Sequence, residues 1–386
     1  MKITDDIVYV GVNDHDVDLF EGQFEVPLGM AYNSYVVKSD KVAVMDTVDA
    51  RFGDEWLKNV AAATDRVDYL VVQHMEPDHS ANVARFAEAY PAAKIVSSMP
   101  AFAMMKNYFG TDFADRRVVV KEGDALDLGG RSLAFVGAPM VHWPEVIVTY
   151  DAATKTLFSA DGFGKFGAND REDPEGWDCE ARRYYFGIVG KYGAQTQALL
   201  KKAAALDIAA ICPLHGPTLT TPDEIAHVLR QYSTWSSYGV ESPGVCIAYT
   251  SVYGHTKEAV EELKAMLLAK GCPKVAMADL ARDDQPETVE DAFRYGTLVL
   301  ATTTYNMDVF PWMRHFIEHL TERNYQNRRV ALIENGTWAP NAAKVMRSMF
   351  AKSCGIAFCE NTVTINGALD AASRAKLEAL ADELVK

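Results

Sequence analysis

The sequence contains no long apolar run, no dense basic stretch and no paired cysteines. Over 386 residues no apolar segment reaches the ~18 residues that a membrane-spanning helix requires, so no span is expected. The opening residues, MKITDDIVYVGV, lack a basic region followed by an apolar stretch, and no secretory signal is read there. Acidic residues outnumber basic ones 53 to 38, for a formal net charge of −15. That balance argues against nucleic acid or an anionic membrane as a partner, since both are held by basic patches. Cysteine is sparse: Cys179, Cys212, Cys246, Cys272, Cys354 and Cys359 form no C-x-x-C pair. Neither a rubredoxin-type iron site nor a zinc knuckle is therefore expected within this chain, and a reducing cytoplasm with free thiols is the expected setting.

What is present is ordinary globular material, 49% apolar and 24% charged, in a length that favours two domains of roughly 100–250 residues each. The first half, residues 1 to about 240, mixes hairpins and helices. Tyr35–Val37 and Val42–Met45 flank Ser39-Asp40 as a hairpin. A helix near Phe52–Ala63 precedes a buried strand, Tyr69–Gln73, and Val146–Tyr150 pairs with Thr156–Ser159. Residues 236–244, rich in Ser, Gly and Pro, read as a linker. Beyond them the rhythm is regular: strands at Val245–Tyr249, Val275–Met277, Thr297–Ala301, Arg329–Ile333 and Thr362–Ile365, with helical patterns between them and a last helix over Ala371–Lys386. Strands alternating with helices imply a parallel sheet covered on both faces.

The densest chemistry is His74-Met-Glu76-Pro-Asp78-His79, directly after the strand ending at Gln73. Four potential ligands within six residues suit Zn, Fe or Mn, and the count is enough for two ions once a few more join. Candidates stand in the same kind of place, beside strands: His142 ahead of one, Asp161 after Thr156–Ser159, and His215 after Ala210–Cys212. Trp143, Tyr184, Tyr185 and Phe186 read as core aromatics close enough in sequence to these ligands to wall such a pocket.

This pattern resembles the metallo-β-lactamase superfamily and, within it, the flavodiiron proteins. Hydrolytic members have H-x-H-x-D-H at this loop, whereas this chain has Glu76 in place of the second His. A carboxylate there adds negative charge and a harder oxygen ligand, favouring iron over zinc. The resemblance implies that His74, Glu76 and His142 bind one iron, that Asp78, His79 and His215 bind the other, and that Asp161 bridges them. No catalytic residue beyond these ligands is implied. The segment Pro27–Tyr35 also looks like the family's first hairpin and is given no catalytic role.

The second half opens with a strand, then Thr250-Ser251-Val252-Tyr253-Gly254-His255-Thr256, then a helix. Hydroxyls, a glycine and a helix N-terminus make an anion site from backbone N–H groups and the helix dipole. The Lys of a Walker loop and a G-x-G-x-x-G are both missing, which points to a phosphate monoester. Two further loops, Thr302-Thr303-Thr304-Tyr305-Asn306 and Asn335-Gly336-Thr337-Trp338, follow the third and fourth strands. In a sheet of order 2-1-3-4-5 these three loops meet at the switch point, where FMN binds. Residues 244–386 are similar to flavodoxin. That similarity implies that Ser251, His255 and Thr256, with the amides of Val252–Gly254, hold the phosphate, and that the other two loops flank the ring, with Tyr305 or Trp338 stacked on it. His255 stands where many flavodoxins have Asn.

Together the two resemblances imply an α/β chain with a metallo-β-lactamase-like αββα sandwich over residues 1–241 and a flavodoxin-like doubly wound parallel sheet over 244–386. They imply FMN and two Fe as cofactors, and reduction of O2 to water, of NO to N2O, or both. The implied electron donor is rubredoxin-like, or a deazaflavin cofactor. The implied assembly is a head-to-tail homodimer, or a dimer of such dimers, that brings one subunit's FMN to the other's irons. Two rival readings stay open: a dizinc hydrolase fused to a flavodoxin domain, and an FMN electron carrier whose metal domain is a docking scaffold.

Overall fold

Residues 3–386 are described by the computed structural model of the chain, and they fall into two units. One runs up to Tyr185 and includes Tyr192–Ser233; the other comprises Phe186–Lys191 and Thr234–Lys386.

In the first unit, short apolar strands build two sheets. One has the order Ile7–Tyr9, Tyr35–Val37, Ala43–Met45, Tyr69–Val71, Lys94–Ser97, Arg117–Val119. Its first two pairings are antiparallel, as the expected hairpin requires, and the rest are parallel. Parallel neighbours need a crossover, and the helices Gly53–Ala63, Val83–Ala89 and Met99–Phe109 lie in these connections. The second sheet runs Ala125–Asp127, Ser132–Gly137, Ile147–Asp151, Thr156–Phe158, Ala210–Cys212, parallel only in its last pairing. The two sheets face one another. Val37, Met45, Val71 and Val96 from one join Leu133, Phe135, Ile147 and Phe158 from the other in a single buried cluster. Each fully buried side chain of this kind contributes roughly 1.5–3 kcal/mol, most of it offset by the entropy of ordering the chain. This is the αββα sandwich, and the strands before the His74, Asp161 and His215 loops all belong to its parallel pairings.

The second unit has the strand order Val275–Asp279, Ser242–Tyr249, Tyr295–Tyr305, Arg329–Asn335, with Ala357–Phe358 and Val363–Ile365 sharing the fifth position. All these pairings are parallel, so the order is 2-1-3-4-5. On one face the helices His255–Ala269 and Ala371–Leu384 contribute Val260, Leu263, Leu377 and Leu380 to the core. Among the described residues no helix is long and apolar enough to cross a membrane.

Two expectations need correction. Residues 236–244 are not a linker throughout. A helix occupies Pro222–Ser236 and the first strand of the second sheet already starts at Ser242, with a register shift between Ser242 and Val245. Pro243 and Gly244 sit in that irregularity, where strands accept them. The third strand runs to Tyr305 instead of stopping at Ala301, because Thr302–Thr304 are β-branched and suit a strand although they are polar.

On the helix Pro311–Glu322 of this unit a hydrogen-bonded line runs from Arg323 Nη1 to His319 Nδ1 (3.0 Å), from His319 to His315 (2.9 Å) and from His315 to Gln285 (3.0 Å). Burial first, then the charges of Arg323 and His315, push the His319 pKa down to about 4. A folded-state value below the unfolded ~6.5 means that the unfolded chain binds the extra proton first. The stability from this contact is thus present above pH 6.5 and lost as pH falls through about 4. His319→Gln is expected to flatten the dependence of thermal stability on pH across that window, measured by circular dichroism melts against the parent.

Candidate metal centre and cofactor cleft

Three loops and one strand connection converge at one edge of the sandwich. After Tyr69–Val71 the chain passes Gln73 into His74, and a short helix, Pro77–Ser80, begins with proline and carries Asp78 and His79. His142 lies between Ser132–Gly137 and Ile147–Asp151, Asp161 follows Thr156–Phe158, and His215 follows Ala210–Cys212. All seven side chains named from the sequence come together in two adjoining groups. His74, Glu76, His142 and Asp161 form one; Asp78, His79 and His215 form the other.

Their geometry is that of lone pairs aimed at common points. Asp161 is fully buried, and neither of its oxygens has a hydrogen-bond partner. Its Oδ2 lies 3.3 Å from His74 Nε2 and 3.2 Å from His142 Nε2, and its Oδ1 lies 3.2 Å from His79 Nε2. Asp161 is therefore the carboxylate that reaches both groups. Both oxygens of Asp78 are likewise without hydrogen bonds, although its Oδ2 is 3.4 Å from His79 Nε2 and 3.3 Å from His215 Nε2. His79 Nε2 and His215 Nε2 face each other at 3.0 Å. Glu76 Oε2 is 3.1 Å from His142 Nε2 and 3.3 Å from His74 Nε2. Buried carboxylates without donors are costly unless a cation compensates them. Four imidazoles and three carboxylates suit a pair of divalent or trivalent iron ions, so the residues fit the metals that the sequence implies.

The far sides of the rings are fixed. His74 Nδ1 donates to Glu145 Oε1 at 2.8 Å, and His215 Nδ1 donates to the Ala31 carbonyl at 2.7 Å. Each bond holds the proton on Nδ1 and leaves Nε2 free to bind a metal. Burial alone would push His74 towards neutrality, but Asp161, Glu145 and Glu76 outweigh it and hold its pKa well above the usual imidazole value. The same contest, with Asp161 and Glu76 winning over burial, puts His142 at about 9. Burial opposes ionisation of Asp161, yet the surrounding imidazoles hold it well below the usual carboxylate range.

Aromatic rings close the pocket. Phe20, Tyr32 and Tyr184 pack around His215 with ring centroids at 5.4, 5.9 and 5.5 Å, and Trp143 lies 5.2 Å from His74. Of the aromatics singled out in the sequence, Trp143 and Tyr184 reach the ligands. Tyr185 packs on Tyr232, and Phe186 stacks on Phe293 in the other unit's core. A cavity of about 240 Å³ opens beside Glu76 and Asp78, lined also by Leu19, Glu21, Tyr32 and Arg51. Burial, then the charge of Glu76, pushes the Glu21 carboxyl up to about 8. Sequence reasoning missed Glu21, Asn33, Glu145 and Asp46. Asp46 is fully buried and accepts from Gln73 N at 2.7 Å and from Gln73 Nε2 at 2.9 Å, which holds the strand end leading into His74.

The second unit carries a cleft of about 280 Å³ at the ends of its central strands, lined by all three expected loops. Ser251, Val252, Tyr253, His255, Thr256, Thr303, Thr304, Tyr305, Asn306, Asn335, Gly336, Thr337 and Trp338 line it, together with Met307 and Gly367, which the sequence did not suggest. Gly254 and Thr302 do not line it. Gly254 turns the loop at φ +95° before the helix His255–Ala269, and Thr302 is buried with its hydroxyl 2.6 Å from that of Thr250. Some polar groups are already engaged. Ser251 Oγ accepts from Gly254 N and Lys257 N, Thr304 Oγ1 caps the helix Ala342–Met349 through Asn341 N and Ala342 N, and the Asn335 amide exchanges two bonds with Gly367. Thr303 Oγ1 has no partner. Trp338 is 72% exposed and Tyr253 91%, leaving broad aromatic faces at the mouth for a planar ring. An open cleft at the switch point, a free hydroxyl and a helix N-terminus fit a flavin mononucleotide.

Residues 30–216 match the family described as ODP family beta lactamase. The chain is 33% identical over 293 residues to Diflavin flavoprotein A 1 of Synechocystis sp., covering 72% of this chain and 49% of that one. It is 28% identical over 357 residues to the nitric oxide reductase of Moorella thermoacetica, covering 90% and 88%. The solved rubredoxin oxygen:oxidoreductase of Desulfovibrio gigas superposes with a TM-score of 0.93 at 25% identity, covering 100% and 97%. The chain spans about half the length of the curated diflavin flavoproteins it matches.

Proposed function

We propose that this chain, which belongs to the flavodiiron protein family, reduces O2 to water, NO to N2O, or both, at two iron ions fed with electrons through FMN. The metal ligands belong to the unit that runs up to Tyr185 and includes Tyr192–Ser233, and the flavin cleft to the unit of Thr234–Lys386 with Phe186–Lys191. The observation that carries the reading is the buried Asp161 carboxylate, which has no hydrogen bond and lies within 3.3 Å of imidazoles from both ligand groups. His74, Glu76 and His142 would hold one iron and Asp78, His79 and His215 the other, with Asp161 within reach of both groups. The relatives named nitric oxide reductase and rubredoxin oxygen:oxidoreductase support both substrates and a rubredoxin-like donor; a deazaflavin cofactor is the alternative donor. The setting proposed is a reducing cytoplasm, and the assembly a head-to-tail homodimer.

When bound, FMN exchanges electrons singly or in pairs and the irons supply the remaining electrons and a place for the gas to bind. The residues of the chain do the rest. Glu145 and the Ala31 carbonyl keep the Nδ1 protons of His74 and His215 in place, so that Nε2 faces inward. Phe20, Tyr32, Tyr184 and Trp143 exclude water from the ring edges, and the cavity past Leu19 and Glu21 admits a small neutral molecule. Ser251, His255 and Thr256, with the start of the helix after Gly254, would hold the flavin phosphate, while Tyr305 or Trp338 would offer the ring a stacking face.

The test is to purify the chain anaerobically, count Fe, Zn and FMN, and follow O2 and NO consumption with a reduced rubredoxin. The expected result is about two Fe, as in other two-metal sites, one FMN, and turnover of at least one gas. Zinc with hydrolytic turnover after iron reconstitution would favour the hydrolase reading. A fully iron-loaded protein that consumed neither gas would leave an electron carrier.

A further inference from the structure

We propose that Asn33 is the positioning residue for His215, acting through the backbone of the Pro213–Gly216 loop; this rests on the two-iron reading above. Asn33 is fully buried, and its backbone N–H and side-chain amide are both spent on this task. Its backbone N donates to the Leu214 carbonyl at 2.8 Å. Its Nδ2 donates to the Pro213 carbonyl at 2.9 Å and to the Gly216 carbonyl at 2.7 Å, one on each side of His215. Its Oδ1 accepts from Asn169 Nδ2 at 2.9 Å, and Asn169 N donates in turn to Asn13 Oδ1 at 2.8 Å. A line of three amides thus ends on the loop that carries one metal ligand.

The chemistry of the loop explains why an amide is needed. Its carbonyls point inward and require donors, and Pro213 has no N–H of its own to build a turn. Gly216 turns at φ +77°, and a Cβ there would meet Lys165 Cγ at 2.6 Å, so the loop has little freedom to rearrange. The imidazole is fixed against the same segment, because His215 Nδ1 donates to Ala31, two residues before Asn33. Loop position and ring orientation are therefore both tied to Ala31–Asn33, with Tyr35 OH on the Pro213 carbonyl and Leu214 N on the Ala160 carbonyl as further anchors of the loop. The hydrogen bonds of Asn33 reach none of His74, Glu76 and His142, and Glu145 holds His74 instead.

The test loads the full-length chain with ⁵⁷Fe(II) and reads iron stoichiometry and Mössbauer spectra for Asn33→Asp, Asn169→Ala and Glu145→Gln. Asn33→Asp keeps the shape but sets carboxylate oxygens against two carbonyls. It is expected to weaken iron at the Asp78–His79–His215 position about 10–100-fold, the usual effect of losing an outer partner of a ligand. At limiting iron one spectral component disappears and FMN content is unchanged. Glu145→Gln is expected to remove the complementary component. Asn169→Ala, an exposed change that leaves the loop bonds in place, is expected to weaken the same component as Asn33→Asp by a smaller factor, and this arm decides the matter where Asn33→Asp does not fold. Parental affinity at both positions in the Asn33 and Asn169 variants, or equal loss at both, overturns the proposal while the two-iron reading stands. A parent chain that takes up no iron overturns both.

Discussion

Asp161→Asn is expected to empty both metal positions at once, taking iron from about two per chain to well below one, with FMN content unchanged. The substitution preserves volume, so the sandwich around this fully buried position persists. The electrostatics do not persist. Asp161 is the largest favourable influence on the His74 imidazole after the opposing effect of burial, and it helps to raise His142 and His79. An asparagine NH2 placed within 3.2–3.3 Å of those imidazole nitrogens would donate to their lone pairs and satisfy them without a metal. Turnover of O2 or NO should fall by at least about a hundredfold, the upper end of what losing even an outer partner costs. Metal analysis and gas-electrode assays on the purified variant measure both. A variant that kept two tightly held irons would remove Asp161 from the bridging role.

The ligands could be read from the sequence because histidines and carboxylates are chemically conspicuous and four of them fall within six residues. The supporting groups could not. Asn33 meets Pro213 across 180 positions and Glu145 meets His74 across 71, and neither separation leaves a local pattern. An asparagine before a strand reads as a turn residue until its partners are known. The same limit applies in the flavin unit. The loops were legible from strand spacing and turn chemistry, but Gly367, which lines the cleft and is held by two bonds with Asn335, was not. Strand ends were the least legible feature of the fold. Polar Thr302–Thr304 look like loop residues, although pairing with Glu334 and Asn335 carries the strand through Thr302 and Thr303, and Thr304 pairs with Val309.

Glu76→His is the change that separates this centre from a hydrolytic one, since it restores the H-x-H-x-D-H pattern in an otherwise unchanged ligand set. Glu76 places a carboxylate oxygen 3.1 Å from His142 Nε2 and 3.3 Å from His74 Nε2, and its side chain is 15% exposed at the cavity. The two histidines hold its pKa well below the usual carboxylate range against the opposing effect of burial, so it carries a full negative charge at neutral pH. Replacing that charge by a neutral imidazole removes a hard oxygen donor and shifts preference from ferric iron towards zinc. Cells supplied with both metals should yield a variant whose Zn:Fe ratio exceeds the parent's by about tenfold or more, equivalent to ~1.4 kcal/mol of altered preference. Any iron retained should have a higher reduction potential, because less negative charge stabilises the oxidised state, and gas turnover should fall with iron content. Potentiometric titration followed by electron paramagnetic resonance reads the potential separately from occupancy. Equal Zn:Fe ratios and equal potentials in parent and variant would mean that the carboxylate at position 76 does not select the metal, and the case for iron would then rest on the flavin unit and the relatives.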